Sequence, residues 1–176
     1  MKVHTAKVHL YVGGGKGKTT AAAGLALRAL GHGEGVLFVQ FLKARPTGEL
    51  APLEQLGARV LRAKLPPKWL SQMSGAEREE TRREHGECLA RTAELLDHGG
   101  VFLCVLDEVV DAVNCDLVEL PALLELIRRR PAETELVLTG RNPPEELVHM
   151  ADYHTHFQCV RHPYSLGVDA RRGIEY

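Results

Sequence analysis

The stretch LYVGGGKGKTT, residues 10–20, decides the fold of this chain. Its first part completes a short apolar run from Val8 to Val12, which is typical of a buried β-strand. Residues 19–30 are rich in alanine and leucine and indicate a helix, which Gly31 and Gly33 end. The glycines between strand and helix predict a phosphate-binding loop, because backbone N–H groups and the positive end of the helix dipole converge at such a turn.

The spacing of this loop differs from the common pattern G-x-x-x-x-G-K-[ST]. When Gly17, Lys18 and Thr19 are taken as its end, the first glycine should stand at position 12, where the chain has Val12. A flexible glycine turn is therefore the alternative interpretation, but the strand before the loop and the helix after it favour a phosphate loop. We predict that ATP is bound by Gly13, Gly14, Gly15, Lys16, Gly17, Lys18, Thr19 and Thr20.

Three side chains of the loop are suited to the chemistry of a nucleotide triphosphate. Lys18 is expected to act as a point charge on the phosphates, and Thr19 to offer its hydroxyl to Mg²⁺. Lys16 adds a second cation inside the loop. These residue types predict a site for ATP together with Mg²⁺, but they do not indicate which bond of ATP is broken.

An acidic pair at the end of a second buried strand completes the expected site. The stretch VFLCVLDEVV, residues 101–110, places Asp107 and Glu108 directly after an apolar run. Carboxylates at the edge of a core need a cation or hydrogen bonds, so we predict that Thr19, Asp107 and Glu108 bind Mg²⁺. A solvated helix start is the alternative interpretation of the acidic pair. The expected catalytic residues are Lys16, Lys18 and Glu108.

The remainder of the chain alternates between strand-like and helix-like runs. Further strands are expected at 36–42, 59–61, 101–106, 135–138 and 154–160, and further helices at 50–56, 76–96, 120–127 and 144–150. This alternation predicts one α/β domain over residues 1–176, in which helices cover both faces of a parallel sheet in three αβα layers. The fold class is that of phosphate-loop (RecA-like) NTPases, whose ligands bind at the carboxyl ends of the strands.

Composition excludes several classes of partner. The 176 residues carry a formal net charge of −1, so no basic field predicts a nucleic-acid partner. The apolar runs are too short to span a bilayer, and Met1 to Lys7 lacks the apolar core of a signal peptide. Four scattered cysteines form no C-x-x-C pair, which favours reduced thiols and a cytoplasmic location. His154 and His156 share one face of a strand but lack a further ligand at clear spacing, so we predict no metal site there.

Taken in order, several segments resemble the phosphate-loop type of ATP:corrinoid (cob(I)alamin) adenosyltransferases. The resemblance runs from Leu10 to Tyr176 and includes the short glycine spacing. Each segment alone is weak, but the ordered set is specific. The segments are GGGKGKTTAAAGLALRALGHG (13–33), VQFLK (39–43), LDEV (106–109), LTGRNPPEELVHMAD (138–152) and RHPYSLGVDARRGIEY (161–176).

The resemblance implies transfer of the 5′-deoxyadenosyl group of ATP to Co(I) of cobalamin or a precursor corrinoid, with release of triphosphate. It also implies Mg²⁺, an electron-donating reductant such as a flavoprotein, and a homodimer. The family is reported to hold ATP in the reverse direction to other phosphate-loop proteins, which fits a shortened loop. Two other hypotheses remain open on the residues alone: a small-molecule kinase or ATPase on the same loop, and a nucleotide-sensing protein without turnover.

Two features depart from the family pattern. The family associates an aromatic pair, Phe-x-Trp, with removal of the lower axial ligand of cobalt, whereas this chain has Pro67, Lys68 and Trp69. Trp69 is the expected corrinoid contact, with a loop anchor on the core as the alternative, and His162 in the tail is a second expected contact. Some members carry an N-terminal helical arm that can cover the active site. This chain starts almost at its first strand, so we expect that cover to be absent or to be supplied in another way.

Overall fold

A computed structural model describes residues 5–44, 47–66 and 68–175. Pro67 and Tyr176, which belong to segments compared with the family, lie outside the described residues. The strands are β1 (Val8–Val12), β2 (Val36–Gln40), β3 (Arg59–Arg62), β4 (Leu103–Asp107), β5 (Glu135–Gly140) and β6 (Tyr153–His156). The helices are α1 (Lys18–Gly31), α2 (Leu50–Gln55), α3 (Gly75–Asp97), α4 (Val109–Asn114), α5 (Leu120–Arg129) and α6 (Glu145–Met150).

All six strands form one parallel sheet in the order β3-β2-β4-β5-β1-β6. The strand that leads into the glycine loop, β1, lies between β5 and β6. Its last residue, Val12, pairs with Gly140 on one side and His156 on the other. Because the strands are parallel, the segments that follow β1, β5 and β6 leave the sheet at the same edge. The predicted parallel α/β sheet is confirmed.

Helices cover both faces of the sheet, because the apolar side chains of its strands alternate between two cores. Phe38 and Val105 pack with α1 and α2 on one face, while Val39 and Leu106 pack with the other helices on the opposite face. Strands buried on both faces read as continuous apolar runs, which explains why β2 and β4 were recognisable from the sequence. The three-layer αβα arrangement is confirmed.

Three local features differ from the sequence prediction. The second strand ends at Gln40 rather than at residue 42, because Leu42 takes a left-handed backbone conformation with φ 53°. The last strand is Tyr153–His156 rather than 154–160, because the chain turns over the glycine loop at Phe157. The short helix α4 was not predicted, since its valines resemble a continuation of the strand before it.

Gly35, just before β2, and Gly24, within α1, offer a paired test of this packing. A Cβ atom on Gly35 would lie 2.0 Å from the carbonyl oxygen of Gly100, whereas a Cβ on Gly24, in α1, would meet no atom within 4 Å. We expect Gly35→Ala to lower the free energy of unfolding by about 1–3 kcal/mol, because backbone must move to admit the methyl group. Gly24→Ala should raise it by about 0.5–1 kcal/mol through helix propensity. Chemical denaturation measures both, and equal stability of the two variants would contradict the close approach at Gly35.

Candidate active site

A cavity of about 770 Å³ opens at the carboxyl edge of the sheet. Its volume lies within the range of small-molecule sites. Phosphate-loop residues form one wall, and the segments that follow β2, β4 and β5 form the others. The residues around it are 14–20, Ala23, Lys43, 47–49, Glu108, Asp111, Arg141, His162 and 173–175.

The phosphate loop curls around its own lysine. Gly17 has φ 112° and caps α1, which begins at Lys18. The Nζ atom of Lys18 donates to the carbonyl oxygens of Gly13 at 2.7 Å and Gly15 at 2.8 Å. Burial lowers the pKa of Lys18, and the nearby guanidinium of Arg141 acts in the same direction. The ammonium is therefore held at a fixed point of the cavity wall, beside the N-terminus of a 14-residue helix.

Two of the loop glycines are required by a neighbouring segment of the chain. Gly15 donates its N–H to the carbonyl oxygen of Phe157 at 2.7 Å, and Phe157 donates its own N–H to Val12 at 2.7 Å. A Cβ atom on Gly13 or Gly15 would lie 2.5 or 2.7 Å from that same carbonyl oxygen of Phe157. Gly14, by contrast, has no neighbour within 4 Å of a Cβ position and faces the cavity. Gly13 and Gly15 thus permit a backbone brace, and Gly14 leaves the cavity wall open.

A buried carboxylate joins three elements beneath the loop. The side chain of Asp107 is fully buried at the end of β4. Its Oδ1 accepts hydrogen bonds from the hydroxyls of Thr19 and Thr139, both at 2.8 Å, and its Oδ2 accepts from Nε2 of Gln40 at 3.4 Å. The expected neighbours Thr19 and Asp107 are therefore in direct contact, although Thr19 alone of the two lines the cavity.

Glu108 takes a different position from its neighbour in the chain. Its backbone is left-handed, with φ 61°, and its N–H donates to the hydroxyl of Thr139 at 2.8 Å. This turn directs the carboxylate into the cavity wall, where Oε1 lies 2.7 Å from Nζ of Lys43. Burial raises the pKa of Glu108, and Lys43 opposes that shift. For Lys43, burial acts to lower the pKa, but Glu108 and Asp107 outweigh it and raise the pKa overall.

Two side chains that the sequence analysis did not single out hold the segment after β2 in place. Gln40 donates to Thr47 at 3.0 Å and to Glu49 at 3.1 Å, in addition to its contact with Asp107. His85, fully buried on α3, contacts the carbonyl oxygen of Thr81 through Nδ1 at 2.8 Å. Its Nε2 accepts from the N–H of Leu42 at 3.3 Å, which fixes the turn just before Lys43. Burial lowers the pKa of His85, in keeping with a neutral ring that accepts at Nε2.

The expected corrinoid contacts lie in different surroundings. His162 lines the cavity, and its Nδ1 accepts from the N–H of Tyr164 at 3.2 Å. Trp69 does not line the cavity, and 77 % of its surface is exposed at the start of the turn Leu70–Gln72. The indole is therefore not an anchor on the core. The tail returns to the cavity at residues 173–175, where Arg171 pairs with Glu175 at 3.1 Å.

The residues present fit a magnesium ion that arrives with a nucleotide. Within the described part of the chain, no group of three or more His, Cys, Asp or Glu side chains is placed to hold a metal ion. Mg²⁺ commonly takes one or two protein oxygen ligands and completes its shell with phosphate oxygens and water. The hydroxyl of Thr19 and the carboxylate of Asp107 are donors of that kind, and the first of them faces the cavity.

Comparison with known proteins decides the family. Residues 4–176 match the family described as ATP:corrinoid adenosyltransferase BtuR/CobO/CobP. The chain belongs to this family. The resemblance found from the sequence segments is thereby confirmed, and the protein is an ATP:corrinoid adenosyltransferase, which is a transferase. Among residues 5–44, 47–66 and 68–175, no helix of this adenosyltransferase is long and apolar enough to cross a membrane.

Curated relatives match over most of their length. The corrinoid adenosyltransferase of Escherichia coli K12 is 32 % identical over 168 residues, which cover 95 % of this chain and 84 % of that protein. The corrinoid adenosyltransferase CobA of Salmonella typhimurium LT2 is 34 % identical over 170 residues, which cover 95 % of this chain and 84 % of that protein. The corrinoid adenosyltransferase of Pseudomonas aeruginosa is 34 % identical over 168 residues, which cover 95 % of this chain and 82 % of that protein.

The backbone brace on the phosphate loop can be tested with adjacent glycines. We expect Gly15→Ala to lower the melting temperature by roughly 2–10 °C, because the methyl group would overlap the carbonyl of Phe157. Gly14→Ala should leave the melting temperature unchanged, since its Cβ position is open. Calorimetry of both variants makes the comparison. The brace is refuted when the two variants melt at the same temperature.

Proposed function

We propose that this adenosyltransferase moves the 5′-deoxyadenosyl group of ATP to Co(I) of a reduced corrinoid, cobalamin or a precursor, and releases triphosphate. The observation that supports this proposal most directly is the meeting of Lys18, the N-terminus of α1 and the Thr19–Asp107 pair at one cavity. The family supplies the two substrates, ATP and a corrinoid. The remaining features explain how the chain can assist the transfer.

The reaction requires the protein to stabilise the leaving group. The electron pair of Co(I) forms the bond to the 5′-carbon of the ribose, and the bond from that carbon to oxygen breaks. Its electrons remain on the departing triphosphate, whose negative charge increases. Positive groups fixed in advance around that charge lower the barrier without reorganising. Lys18, held by two loop carbonyls, and Lys16, on the cavity wall, are suited to this role.

The nucleophile comes from the substrate, so the chain needs no activated side chain of its own. Two of the four cysteines are consistent with this expectation. Cys88 and Cys104 are buried, and burial raises the pKa of both thiols, that of Cys88 to about 12. Such thiols are protonated and unreactive near neutral pH. Catalysis is expected to rest on binding, orientation and charge.

Magnesium is expected to be held by Thr19 and Asp107, with Glu108 at the cavity wall. When bound, it would supply positive charge next to the phosphates of the leaving group. Lys43, 2.7 Å from Oε1 of Glu108, favours the ionised form of that carboxylate and opposes the rise in its pKa that burial causes. Asp107 keeps its orientation through Thr139 and Gln40 independently of any ligand.

The corrinoid is expected to meet the chain at Trp69 and His162. His162 faces the cavity, where the 5′-carbon of ATP would have to be presented. The largely exposed indole of Trp69 offers a flat apolar surface of the kind that packs on a large planar ligand. An electron-donating reductant such as a flavoprotein, a homodimeric assembly and a cytoplasmic location stay predictions.

The products distinguish this function from its rivals. With ATP, Mg²⁺ and chemically reduced cobalamin, we expect the absorbance change of a new Co–C bond and an equal amount of triphosphate. Lys18→Ala should lower kcat/KM by about 10²–10³-fold, because it removes a fixed charge from the leaving group. Lys7→Ala, which removes a lysine near the opposite edge of the sheet, should not change the rate.

Other products would contradict the proposal in identifiable ways. Formation of ADP with phosphate or a phosphorylated acceptor would indicate a kinase or ATPase. ATP binding without either set of products would indicate a nucleotide sensor. Normal turnover of Lys18→Ala would remove that residue from the site while leaving the reaction itself intact.

Trp69→Ala tests the corrinoid contact separately. We expect about tenfold or greater loss in kcat/KM for reduced cobalamin, because truncating a tryptophan removes a large contact surface. The dissociation constant for ATP should not change, since the indole lies outside the cavity. Leu56→Ala, which truncates another exposed apolar side chain, is the matched control and should keep both values. Equal loss of cobalamin turnover and ATP binding in Trp69→Ala would instead point to a packing defect.

A further inference from the structure

A buried histidine of α3 connects that helix to the turn that carries Lys43. His85 is fully buried, and its Nδ1 lies 2.8 Å from the carbonyl oxygen of Thr81, one turn earlier in α3. A carbonyl oxygen can only accept, so Nδ1 carries the proton and Nε2 is left as an acceptor. That acceptor receives the N–H of Leu42 at 3.3 Å, 43 residues away in the chain. Burial lowers the pKa of His85 more than Glu84 raises it, which favours the neutral ring that both contacts require.

The turn that His85 holds has an unfavourable backbone conformation. Leu42 has φ 53°, which is left-handed and disfavoured for a residue with a Cβ atom. On one side, Phe41 donates its N–H to the carbonyl oxygen of Asp107 at 2.9 Å. Between this bond and Lys43, the N–H of Leu42 is received by His85. Loss of the ring acceptor would remove that partner and allow the turn to relax toward a more favourable conformation.

The position of this turn decides where the ammonium of Lys43 lies. Its Nζ is 2.7 Å from Oε1 of Glu108, and both residues line the cavity. Glu108 is itself left-handed, with φ 61°, and its N–H donates to the hydroxyl of Thr139 on β5. The two members of the ion pair are thus supported in the same way, by a left-handed turn whose N–H is received by a side chain of another element. Strained turns persist only where the surrounding structure holds them, and they are concentrated at functional sites.

We propose that His85 is a positioning residue of the adenosyl transfer, because the turn that it holds places Lys43 against Glu108 at the cavity wall. The inference rests on the proposed function, in which charges fixed at that wall stabilise the leaving group. The competing explanation is that His85 only fills space in the core, where its ring lies 6.0 Å from that of Phe41.

Two substitutions of His85 separate the hydrogen bond from the space that the ring fills. We expect His85→Phe, which keeps a ring but offers no acceptor, to lower kcat/KM for reduced cobalamin about tenfold and to speed hydrogen exchange of the Leu42 amide about tenfold. His85→Gln, whose side-chain oxygen can accept from Leu42, should keep both values within about threefold of the unaltered protein.

His98→Phe is the matched control for these variants. Like His85, His98 contacts a carbonyl oxygen one turn earlier, that of Glu94 at 2.6 Å, but it is exposed at the end of α3. Its substitution should change neither the rate nor the exchange of the Leu42 amide. In the unaltered protein, nitrogen NMR should show a proton on Nδ1 of His85 and none on Nε2. The opposite tautomer would overturn the proposal without any substitution.

A double-mutant cycle tests whether His85 acts through Lys43. We expect Lys43→Met to lower kcat/KM about tenfold, and His85→Phe to cause no further loss in that background. Additive losses would overturn the positioning role and favour packing. Equal losses in His85→Phe and His85→Gln, or unchanged exchange at Leu42 in His85→Phe, would overturn it as well.

These outcomes are separable from a failure of the proposed function. If the unaltered protein does not adenosylate a corrinoid, the function is removed together with the role of His85 in it, while the exchange of the Leu42 amide and the tautomer of His85 still test the hydrogen bond. Normal adenosylation by His85→Phe would remove the positioning role and leave the function intact.

Discussion

The buried carboxylate of Asp107 is the constraint on which the rest of this active site depends. A carboxylate without solvent is costly unless hydrogen bonds or cations receive it. Here hydroxyls from α1 and β5 and an amide from β2 converge on it. Each donor belongs to an element that lines the cavity or leads directly into a segment that lines it. The hydrogen bonds to Asp107 therefore fix the positions of these segments relative to one another.

Further hydrogen bonds connect Asp107 to other residues around the cavity. Thr139 accepts from the backbone of Glu108 while it donates to Asp107, which links the buried carboxylate to the half-buried residue at the cavity wall. Gln40 extends the network to Thr47 and Glu49, so the loop after β2 is tied to the same centre. A parallel sheet makes this possible, since it brings the ends of strands distant in sequence to one edge.

The sequence made some of these features predictable and concealed others. Lys18, Thr19 and Asp107 were found because each stands in a local pattern, a glycine turn or the end of an apolar run. Arg141 follows the end of β5 in the same way, so the rule that ligands bind at strand ends could have pointed to it. His85 carried no such signal, because it lies in mid-helix and contacts Leu42, a residue far away in the chain. Local sequence patterns do not show which segments far apart in the chain come into contact.

The brace between Gly15 and Phe157 has a consequence for how the protein matures. The glycine loop is synthesised well before Phe157, which holds it, and before residues 173–175, which complete the cavity. Contacts of such long sequence separation form late, because the loop that they close must be ordered first. The glycine loop therefore receives this backbone hydrogen bond only after β6 has paired with β1 and Phe157 has reached the loop.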